Sequence, residues 1–302
     1  MRRGSKDAGY KEGVLPQVRR LPRAPGVYRF RDARGTVLYL GRATDLRGRV
    51  ASYWSQRDRP HLTRMVARIA RVEALACDSV HEAAWLERNL LEQRMPRWNR
   101  TPGGQEVAVY LRLDDGPARP GLSLSHSEGF GPFLGGLRAR LALSALHRIH
   151  PLAYAGTALT GAEAEMAALR GVGPADRPRL IAAVENVLRR DPAALGHALA
   201  ALAELRDRAA AELAFERAQQ IQDEMAALEW ITSPQRVAVT GGGDLVVRDW
   251  AHGVLISLEI EAGHLRTWSL RPAAHPPAQA PPPGWADFAR RNVELAAALI
   301  SG

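Results

Sequence analysis

A single carboxylate stands out in this sequence because its surroundings are apolar. Segment 80–94 has the spacing of an amphipathic helix, and Glu87 lies in the middle of its apolar stripe. The residues three and four positions away on either side are Ala83, Ala84, Leu90 and Leu91. A carboxylate placed there is costly unless it is paired or binds a metal ion. Glu87 is therefore either a ligand for a cation or one half of a structural salt bridge to a buried arginine.

A second group has the chemistry of a phosphate site. Arg42, Arg49 and Tyr53 are separated by seven and then four residues, and a helix is predicted over 43–53. At about 100° per residue, the three positions fall within roughly 40° of one another on one helical face. Two guanidiniums aligned in this way can donate paired hydrogen bonds to phosphate oxygens. The alternative is a solvated basic helix face, although the aromatic Tyr53 indicates partial burial.

Two short strands must position the aromatic residues of this region. Segments 26–30 and 36–40 alternate apolar and polar residues around the turn-forming stretch 32–35, which predicts a β-hairpin. Tyr28 and Tyr39 lie on its adjacent strands. They are either half-buried strand aromatics or functional phenols. The residues that flank Tyr28 do not determine to which face of the sheet its side chain points.

Further elements follow the hairpin. The sequence predicts a helix over 62–69, a short strand near 72–77 and then the 80–94 helix. Ser79 and Glu82, three positions apart, form a capping box that begins this last helix.

The combined spacing resembles the GIY-YIG nuclease family, in the version found at the N-terminus of the bacterial excision-repair subunit UvrC. The resemblance rests on Gly26-Val27-Tyr28, Tyr39-Leu40-Gly41 ten residues later, and the helix that follows. The segment around Glu87 resembles the metal-carboxylate helix of that family. Pro96-Arg97-Trp98-Asn99 is similar to its terminal Pro-x-Tyr-Asn signature, with Trp in place of Tyr.

The resemblance implies a role for each matching residue. Glu87 would bind one divalent cation, Mg²⁺ or Mn²⁺. Arg49 would neutralise the scissile phosphate with support from Tyr53. Tyr28 and Tyr39 would frame the attacking water, one of them as general base, with Tyr28 slightly favoured.

Two more positions would support the site. Asn99 is implied to order it by hydrogen bonds. Arg42 stands where UvrC enzymes commonly have lysine. Arginine keeps its charge, so it can lower the pKa of a nearby tyrosine but cannot relay a proton. If the family's lysine must relay a proton, activity in this chain would be reduced or lost.

The whole chain is predicted to be α+β, with a small nuclease domain built on a short mixed β-sheet flanked by helices. The predicted domains are a basic flexible lead-in (1–22), the GIY-YIG domain (23–101), a UvrC-like extension of strands and then helices (102–196), a UVR-like helical hairpin (197–232), a small β region (233–271), and a Pro-rich linker with a terminal helix (272–302). Within the extension, 129–136 is predicted to be a glycine-rich turn.

Residues 210–228 resemble the UVR motif, the helical hairpin through which UvrC and UvrB associate. The resemblance implies a UvrB-like partner, whereas the alternative is a generic alanine-rich amphipathic helix. The positions that carry it are Leu213, Phe215, Glu216, Ala218, Ile221, Asp223 and Leu228.

Positive charge is concentrated in the first third of the chain. The 302 residues have a formal net charge of +9, yet residues 1–100 alone hold 22 bases and 10 acids, a net of +12. So local an excess indicates a polyanionic partner, with nucleic acid ahead of an anionic membrane surface. The candidates for contact with the DNA backbone are Arg57, Arg59 and Arg64, together with Arg19, Arg20 and Arg23.

Composition excludes other classes. A single cysteine, Cys77, rules out an internal disulfide, a cysteine-ligated zinc finger and a cysteine-held iron–sulfur cluster. Neither a secretory signal nor a membrane span is visible, so the expected setting is a bacterial cytoplasm, near the nucleoid.

The leading hypothesis is a metal-dependent, structure-directed DNA endonuclease acting on damaged or distorted duplex. The resemblance implies a UvrC-like 3′-side incision in nucleotide excision repair, without a 5′-incision domain. The alternative is a catalytically weak or inactive accessory protein that binds DNA and UvrB. An RNA-directed nuclease also stays open, because nothing in the sequence reads a 2′-hydroxyl.

Overall fold

A computed structural model describes residues 14–55, 60–100 and 107–300. Arg57, Arg59 and the first 13 residues of the predicted lead-in lie outside these ranges. The described residues form two compact units, one made of 14–55, 60–100 and 234–300 and the other of 107–233. Within the described ranges, no helix is both long and apolar enough to cross a membrane.

The first unit is built on a three-stranded sheet in the order β2-β1-β3, with β1 Gly26–Arg31, β2 Val37–Ala43 and β3 Arg71–Ala76. Both strand pairs are antiparallel, so the prediction of a mixed sheet was wrong. The hairpin joins β1 to β2 directly, and the two helices between β2 and β3 return the chain against β1. The rest of the α+β prediction is confirmed.

The register of the hairpin settles which face each aromatic residue uses. Phe30 lies directly opposite Tyr39, and residues paired in this way point to the same face of a sheet. Tyr28 is two positions from Phe30, so it shares that face. Helix α1 Leu46–Ser55 buries Leu46, Val50 and Tyr53, which pack in the same cluster.

Helix α2 Pro60–Val66 precedes β3, and helix α3 Val80–Gln93 follows it. The capping box of α3 is present in modified form. The Ser79 hydroxyl accepts the backbone N–H of Glu82 at 2.9 Å, while the Glu82 carboxylate reaches one residue further back, to the N–H of Asp78 at 2.7 Å.

The predicted flexible lead-in differs from the structure over its last third. Residues 14–20 are helical, and Val14, Val18 and Leu21 are buried in the same cluster as Tyr28. Their spacing of four and three residues makes one apolar stripe on a helix. This stripe anchors the segment to the sheet.

Residues 234–300 belong to the same unit as the sheet of the first hundred residues. Strands β7 Leu245–Ala251, β8 Val254–Glu261 and β9 His264–Pro272 form an antiparallel meander. The C-terminal helix Pro283–Ile300 packs beside β3. There the Asn292 side chain accepts the N–H of Ala76 at 2.7 Å and donates to its carbonyl at 3.1 Å.

A buried ion cluster joins the first sheet to the meander. The Arg29 Nε donates to Glu73 at 2.5 Å, the Arg29 guanidinium lies 3.7 Å from the centre of the Trp268 ring, and it donates to the Trp268 carbonyl at 3.0 Å. Arg31 and Arg71 also reach the Glu73 carboxylate, at 2.9 and 2.7 Å. Burial alone would raise the pKa of Glu73, but the guanidiniums of Arg29 and Arg31 lower it overall.

Glu73→Gln is expected to destabilise this unit by about 3–5 kcal/mol, because it leaves the charge of Arg29 buried without its partner. The lowered pKa means that Glu73 stabilises the fold above its unfolded pKa and that this contribution is lost as the pH falls through its folded pKa. Urea unfolding at neutral and acidic pH measures both effects. Glu259→Gln, on the exposed side of β8, is the control. A loss of stability no larger than the control's would contradict the assignment.

The second unit packs helices against a small sheet of β4 Ala108–Asp114, β5 Gly121–Ser125 and β6 Phe130–Leu134, in the order β5-β4-β6. Strand β6 occupies most of the predicted glycine-rich turn. Gly129, at φ +122°, allows the close approach to β4, since a Cβ there would lie 2.4 Å from the Leu111 carbonyl oxygen.

Five helices complete this unit: α4 Gly136–Ile149, α5 Gly161–Leu169, α6 Arg177–Leu188, α7 Pro192–Ala211 and α8 Phe215–Thr232. Helices α7 and α8 are joined by three residues and form a hairpin over the region that resembles the UVR motif. Ile221 and Leu228 of α8 are buried in the core of the unit.

Candidate active site

Three tyrosines from three elements come together on one face of the first sheet. The hydroxyls of Tyr28 on β1 and Tyr53 on α1 are 2.8 Å apart and share a hydrogen bond. The Tyr39 ring centre is 6.2 Å from that of Tyr28 and 5.9 Å from that of Tyr53. Tyr28 is fully buried, Tyr53 is nearly so, and Tyr39 is half-buried. Tyr39 is therefore the most accessible of the three phenols.

Burial is the largest influence on these hydroxyls, and it raises the pKa of all three. The tyrosines are therefore neutral in the free protein near pH 7. Tyr28 differs in one respect, because two side-chain hydrogen bonds, with Tyr53 and with Arg49, both lower its pKa against the effect of burial. Of the three, Tyr28 has the phenol oxygen whose ionised form the surroundings support by hydrogen bonding from two groups.

Arg49 lies on helix α1 one turn before Tyr53, with its guanidinium carbon 5.2 Å from the centre of the Tyr53 ring. The side chain is exposed and also interacts with the Tyr28 phenol. An exposed guanidinium held against two phenols can donate to a phosphate arriving from solvent. The predicted pairing of Arg49 with Tyr53 on one helical face is confirmed.

Two glycines of the hairpin permit close packing, Gly41 against the phenols and Gly26 against β3. A Cβ at Gly41 would lie 2.8 Å from the Tyr28 hydroxyl and 2.8 Å from Cε1 of Tyr39. A Cβ at Gly26 would lie 2.3 Å from the Leu75 carbonyl oxygen on β3. In the sequence, both glycines are recognisable only as members of the Gly-Val-Tyr and Tyr-Leu-Gly motifs, which do not by themselves indicate a packing role. Glycine inside a strand is the signal that points to it.

The prediction that Arg42 shares a helical face with Arg49 and Tyr53 was wrong. Helix α1 begins at Leu46, and Arg42 lies on β2, where its backbone pairs with Val27. Pairing with β1 keeps this residue extended. Arg42 instead reaches the site from the strand and contacts Glu87.

Glu87 lies on α3 with both carboxylate oxygens directed at Arg42. Its Oε1 accepts the backbone N–H of Arg42 at 3.2 Å, and its Oε2 lies 3.3 Å from the Arg42 Nε. The Arg42 side chain is 45% exposed, so this is not the salt bridge to a buried arginine considered above. Burial raises the pKa of Glu87, while the charges of Arg42 and Arg49 act in the opposite direction. Because the charge of Arg49 lowers the pKa of both Glu87 and Tyr28, the carboxylate and the phenols belong to one electrostatically coupled site.

Asn99 supports the site through the backbone of β2. Its side chain accepts the N–H of Leu40 at 3.0 Å and donates to the Leu40 carbonyl at 2.7 Å. The neighbouring Trp98 N–H donates to the Leu38 carbonyl at 3.2 Å. These bonds fix the strand that carries Tyr39 and Arg42, so Asn99 positions the site from outside it.

The surroundings of Glu87 suit a cation that keeps part of its hydration shell better than one bound by protein ligands alone. In the part of the chain that the structure describes, no three His, Cys, Asp or Glu side chains cluster as a metal site. The Glu87 side chain is 21% exposed, so solvent reaches it. Mg²⁺ commonly keeps several waters and is bound by one or two protein carboxylates together with phosphate oxygens. The donor set therefore suits an ion completed by water and phosphate.

The remaining predicted residues lie on the surface or in the core. Arg64 of α2 is exposed, as are Arg19, Arg20 and Arg23. Among the residues predicted to bind a partner, Leu213, Phe215, Glu216 and Asp223 are exposed, whereas Ile221 is completely buried. Ile221 thus stabilises the hairpin and contributes no surface.

Comparison with known proteins gives consistent matches. Residues 24–100 match the family model of the UvrC-like GIY-YIG domain. UvrABC system protein C of Desulforudis audaxviator is 30% identical over 268 residues, which cover 82% of this chain and 43% of that protein. The Trichlorobacter lovleyi protein of the same name is 36% identical over 144 residues, 45% of this chain and 24% of its own. The chain thus spans less than half the length of these relatives.

A solved structure also matches part of the chain. The magnesium-bound GIY-YIG N-terminal endonuclease domain of UvrC from Thermotoga maritima is 28% identical to this chain, with a TM-score of 0.26, and the match covers 28% of this chain and 97% of that domain. Residues 24–100 thus match a UvrC-like GIY-YIG domain, and most of the chain is similar to part of UvrABC system protein C.

Proposed function

We propose that this protein is a metal-dependent endonuclease that hydrolyses a phosphodiester bond in damaged or distorted duplex DNA. The observation that carries the proposal is the meeting of Arg49, the hydrogen-bonded pair of Tyr28 and Tyr53, and Glu87 in one partly open site. Phosphodiester hydrolysis needs an attacking water, positive charge at the non-bridging oxygens and a stabilised leaving oxygen. The proposal extends, by similarity, to a UvrC-like 3′-side incision in nucleotide excision repair.

Arg49 supplies the phosphate-binding part of the proposed reaction. Its guanidinium is exposed on one side and held against Tyr28 and Tyr53 on the other. It would therefore donate to the non-bridging oxygens of the scissile phosphate without a large rearrangement. The exposed arginines outside the site, such as Arg64 and Arg23, would contact neighbouring phosphates of the backbone.

The tyrosines supply a route for the proton of the attacking water. Tyr39 is the phenol most accessible to water, and Tyr28 has the phenol oxygen best supported as an anion. The Tyr53 hydroxyl is 2.8 Å from the Tyr28 hydroxyl, and Tyr53 also interacts with Tyr39 by a side-chain hydrogen bond. We propose that the ionised form of Tyr28 is the proton acceptor. Tyr28 first releases its own proton to solvent, and the proton of the attacking water then reaches it through Tyr39 and Tyr53, whose hydroxyls each accept one proton and donate their own.

Glu87 would hold a single Mg²⁺ or Mn²⁺ ion through its carboxylate. When bound, a divalent cation supplies charge that neutralises the phosphate and the leaving oxygen. Asn99 would keep the β2 backbone, and with it Tyr39 and Arg42, in place around this site.

Arg49→Ala tests the proposal and is expected to slow cleavage by about 10²–10³-fold, the usual effect of removing one group that stabilises developing charge. Purified protein would be incubated with Mg²⁺ or Mn²⁺ and a lesion-bearing duplex, with and without UvrA and UvrB. Arg34→Ala removes an exposed arginine from the β1–β2 turn and serves as the matched control. Equal cleavage by the two variants would contradict the role of Arg49.

The contact between Arg42 and Glu87 favours a second candidate, an accessory protein that binds DNA and a UvrB-like partner without cleaving. DNA binding by the wild type with no metal-dependent nicking in the same assay would support that function over the nuclease.

The tip of the α7–α8 hairpin suits the binding of a UvrB-like protein. Leu213 and Phe215 are 73% and 65% exposed there, beside the acidic Glu216. Large apolar side chains that protrude from a well-packed hairpin are typical anchors of an interface.

A Leu213→Ser/Phe215→Ser double variant is expected to weaken binding to a UvrB-like partner by about tenfold or more, which corresponds to a loss of about 1.4 kcal/mol for the two side chains together. Its melting temperature should stay close to the wild-type value, because neither side chain is buried. Surface plasmon resonance measures the affinity. Leu169→Ser, which removes an 82% exposed leucine elsewhere in this unit, is the control, and an equal effect of both variants would exclude the hairpin tip as the docking site.

A further inference from the structure

The side chain of Arg42 lies where it competes with a cation for Glu87. The backbone N–H of Arg42 contacts one carboxylate oxygen, and the Nε of its guanidinium lies 3.3 Å from the other. The backbone contact is part of the fold, since β2 is held by β1 and by the bonds of Asn99 to Leu40. The guanidinium contact is not constrained in this way, because the side chain is 45% exposed.

The Arg42 guanidinium and a divalent metal ion cannot both bind the Glu87 carboxylate with full affinity at the same time. A guanidinium keeps its charge at any physiological pH, so a divalent ion approaching Glu87 meets a positive charge already in contact with the same oxygens. Repulsion across a few ångströms at a partly buried site is substantial. Arg42 therefore has to move away for the full affinity of the carboxylate to be expressed.

A DNA phosphate is the chemical group that would take Arg42 from Glu87. Phosphate oxygens match the planar donors of a guanidinium, and the arriving backbone supplies them beside Arg49. On the basis of the proposed function, we propose that Arg42 occupies the Glu87 carboxylate in the DNA-free protein, opposes cation binding there, and passes to a DNA phosphate, so that the cation and DNA bind cooperatively. Arg42 is in this sense a positioning residue that restricts metal uptake to the DNA-bound state.

The first test measures Mn²⁺ binding to the full chain without DNA, by isothermal titration calorimetry. Arg42→Gln, which keeps much of the side-chain bulk and removes the charge, should bind Mn²⁺ about tenfold more tightly than the wild type. Arg42→Lys should stay near the wild type because it keeps the charge, and Glu87→Gln should lose binding. Melting temperatures confirm that each variant is folded. Wild-type or weaker Mn²⁺ affinity in Arg42→Gln would overturn the inference, as would binding that survives Glu87→Gln.

The second test measures the coupling itself, by repeating the titration with the protein saturated by a nuclease-resistant phosphorothioate duplex. The duplex should tighten Mn²⁺ binding by a larger factor in the wild type than in Arg42→Gln, and Mn²⁺ should tighten duplex binding by the same factors. Equal factors in the two proteins would refute the coupling.

The outcome is distinguishable from that of the proposed function. Normal cleavage with equal Mn²⁺ affinities in the wild type and Arg42→Gln would overturn the inference alone. Tighter Mn²⁺ binding in Arg42→Gln, with no cleavage by the wild type, would support the inference and overturn the nuclease.

Discussion

Glu87→Gln is expected to abolish cleavage and to make the protein more stable at neutral pH. The substitution removes the carboxylate proposed to bind the cation while preserving the shape of the side chain. A loss on the order of 10³-fold or more follows if the charge that neutralises the phosphate depends on this residue. The gain in stability follows from burial, which raises the pKa of Glu87 despite the nearby guanidiniums.

The pH dependence gives this prediction a second measurement. A raised pKa means that Glu87 favours the folded state below its unfolded pKa and that this contribution is lost as the pH rises through the folded pKa. Glutamine has no charge to lose. The variant should therefore melt above the wild type near pH 7, and the difference should shrink toward about pH 3, below the ordinary range of a glutamate.

Glu92→Gln is the control for cleavage, since it removes an exposed carboxylate from the same helix. Because Arg88 and Arg266 pair with Glu92 and lower its pKa, this variant should melt below the wild type at neutral pH, opposite to Glu87→Gln. It should retain cleavage. Full activity in Glu87→Gln would remove the assignment of the metal site. A variant that is inactive but less stable than the wild type at neutral pH would show that the Arg42 contact outweighs the cost of burial.

Deleting residues 234–302 is expected to prevent the nuclease domain from folding. The C-terminal helix buries Phe288, Val293 and Leu299 almost completely, and each such side chain contributes roughly 1.5–3 kcal/mol. The meander adds Trp268, on which the buried Arg29 stacks at 3.7 Å. These losses are comparable with the whole stability of a domain, about 5–15 kcal/mol.

Circular dichroism melts and hydrogen exchange of β3 amides would measure the effect. The truncated chain should lack a cooperative transition for this unit, and the Ala76 amide should lose protection because Asn292 no longer accepts its N–H. Asn292→Leu in the full chain isolates that contact and should cost about 1–3 kcal/mol for each backbone group left unpaired. Asn186→Leu, at an exposed position of the other unit, is its control. A truncated chain with native melting and protection would contradict the prediction.

Local signals in the sequence predicted much of the site. The alternation in the hairpin, the Ser79 cap of α3 and the spacing of Arg49 and Tyr53 depend on neighbours in the chain, and the structure contains all of them. The anomaly of Glu87 was likewise visible, because a carboxylate in an apolar stripe requires a partner whatever the fold.

Errors arose where a distant segment decided the conformation. Arg42 continued the helical spacing of Arg49, but pairing with β1 holds it in a strand. Residues 129–136 contain turn-forming glycines, yet their pairing with β4 makes most of them a strand. In both cases backbone hydrogen bonds to another strand outweighed a weak local preference.

The residue types of the site follow from the sequence alone, because the chemistry of two guanidiniums, three phenols and one carboxylate does not depend on the fold. Which of these groups come into contact depends on the tertiary structure. The register of β1 and β2 places Tyr28 and Tyr39 on one face, and the packing of α3 directs Glu87 to Arg42. It also joined residues 234–302 to the nuclease domain, through contacts such as Asn292 with Ala76 that span more than 200 residues. Burial and hydrogen bonding between distant segments determine such contacts. Neither produces a periodic pattern of residues from which the contact could be predicted.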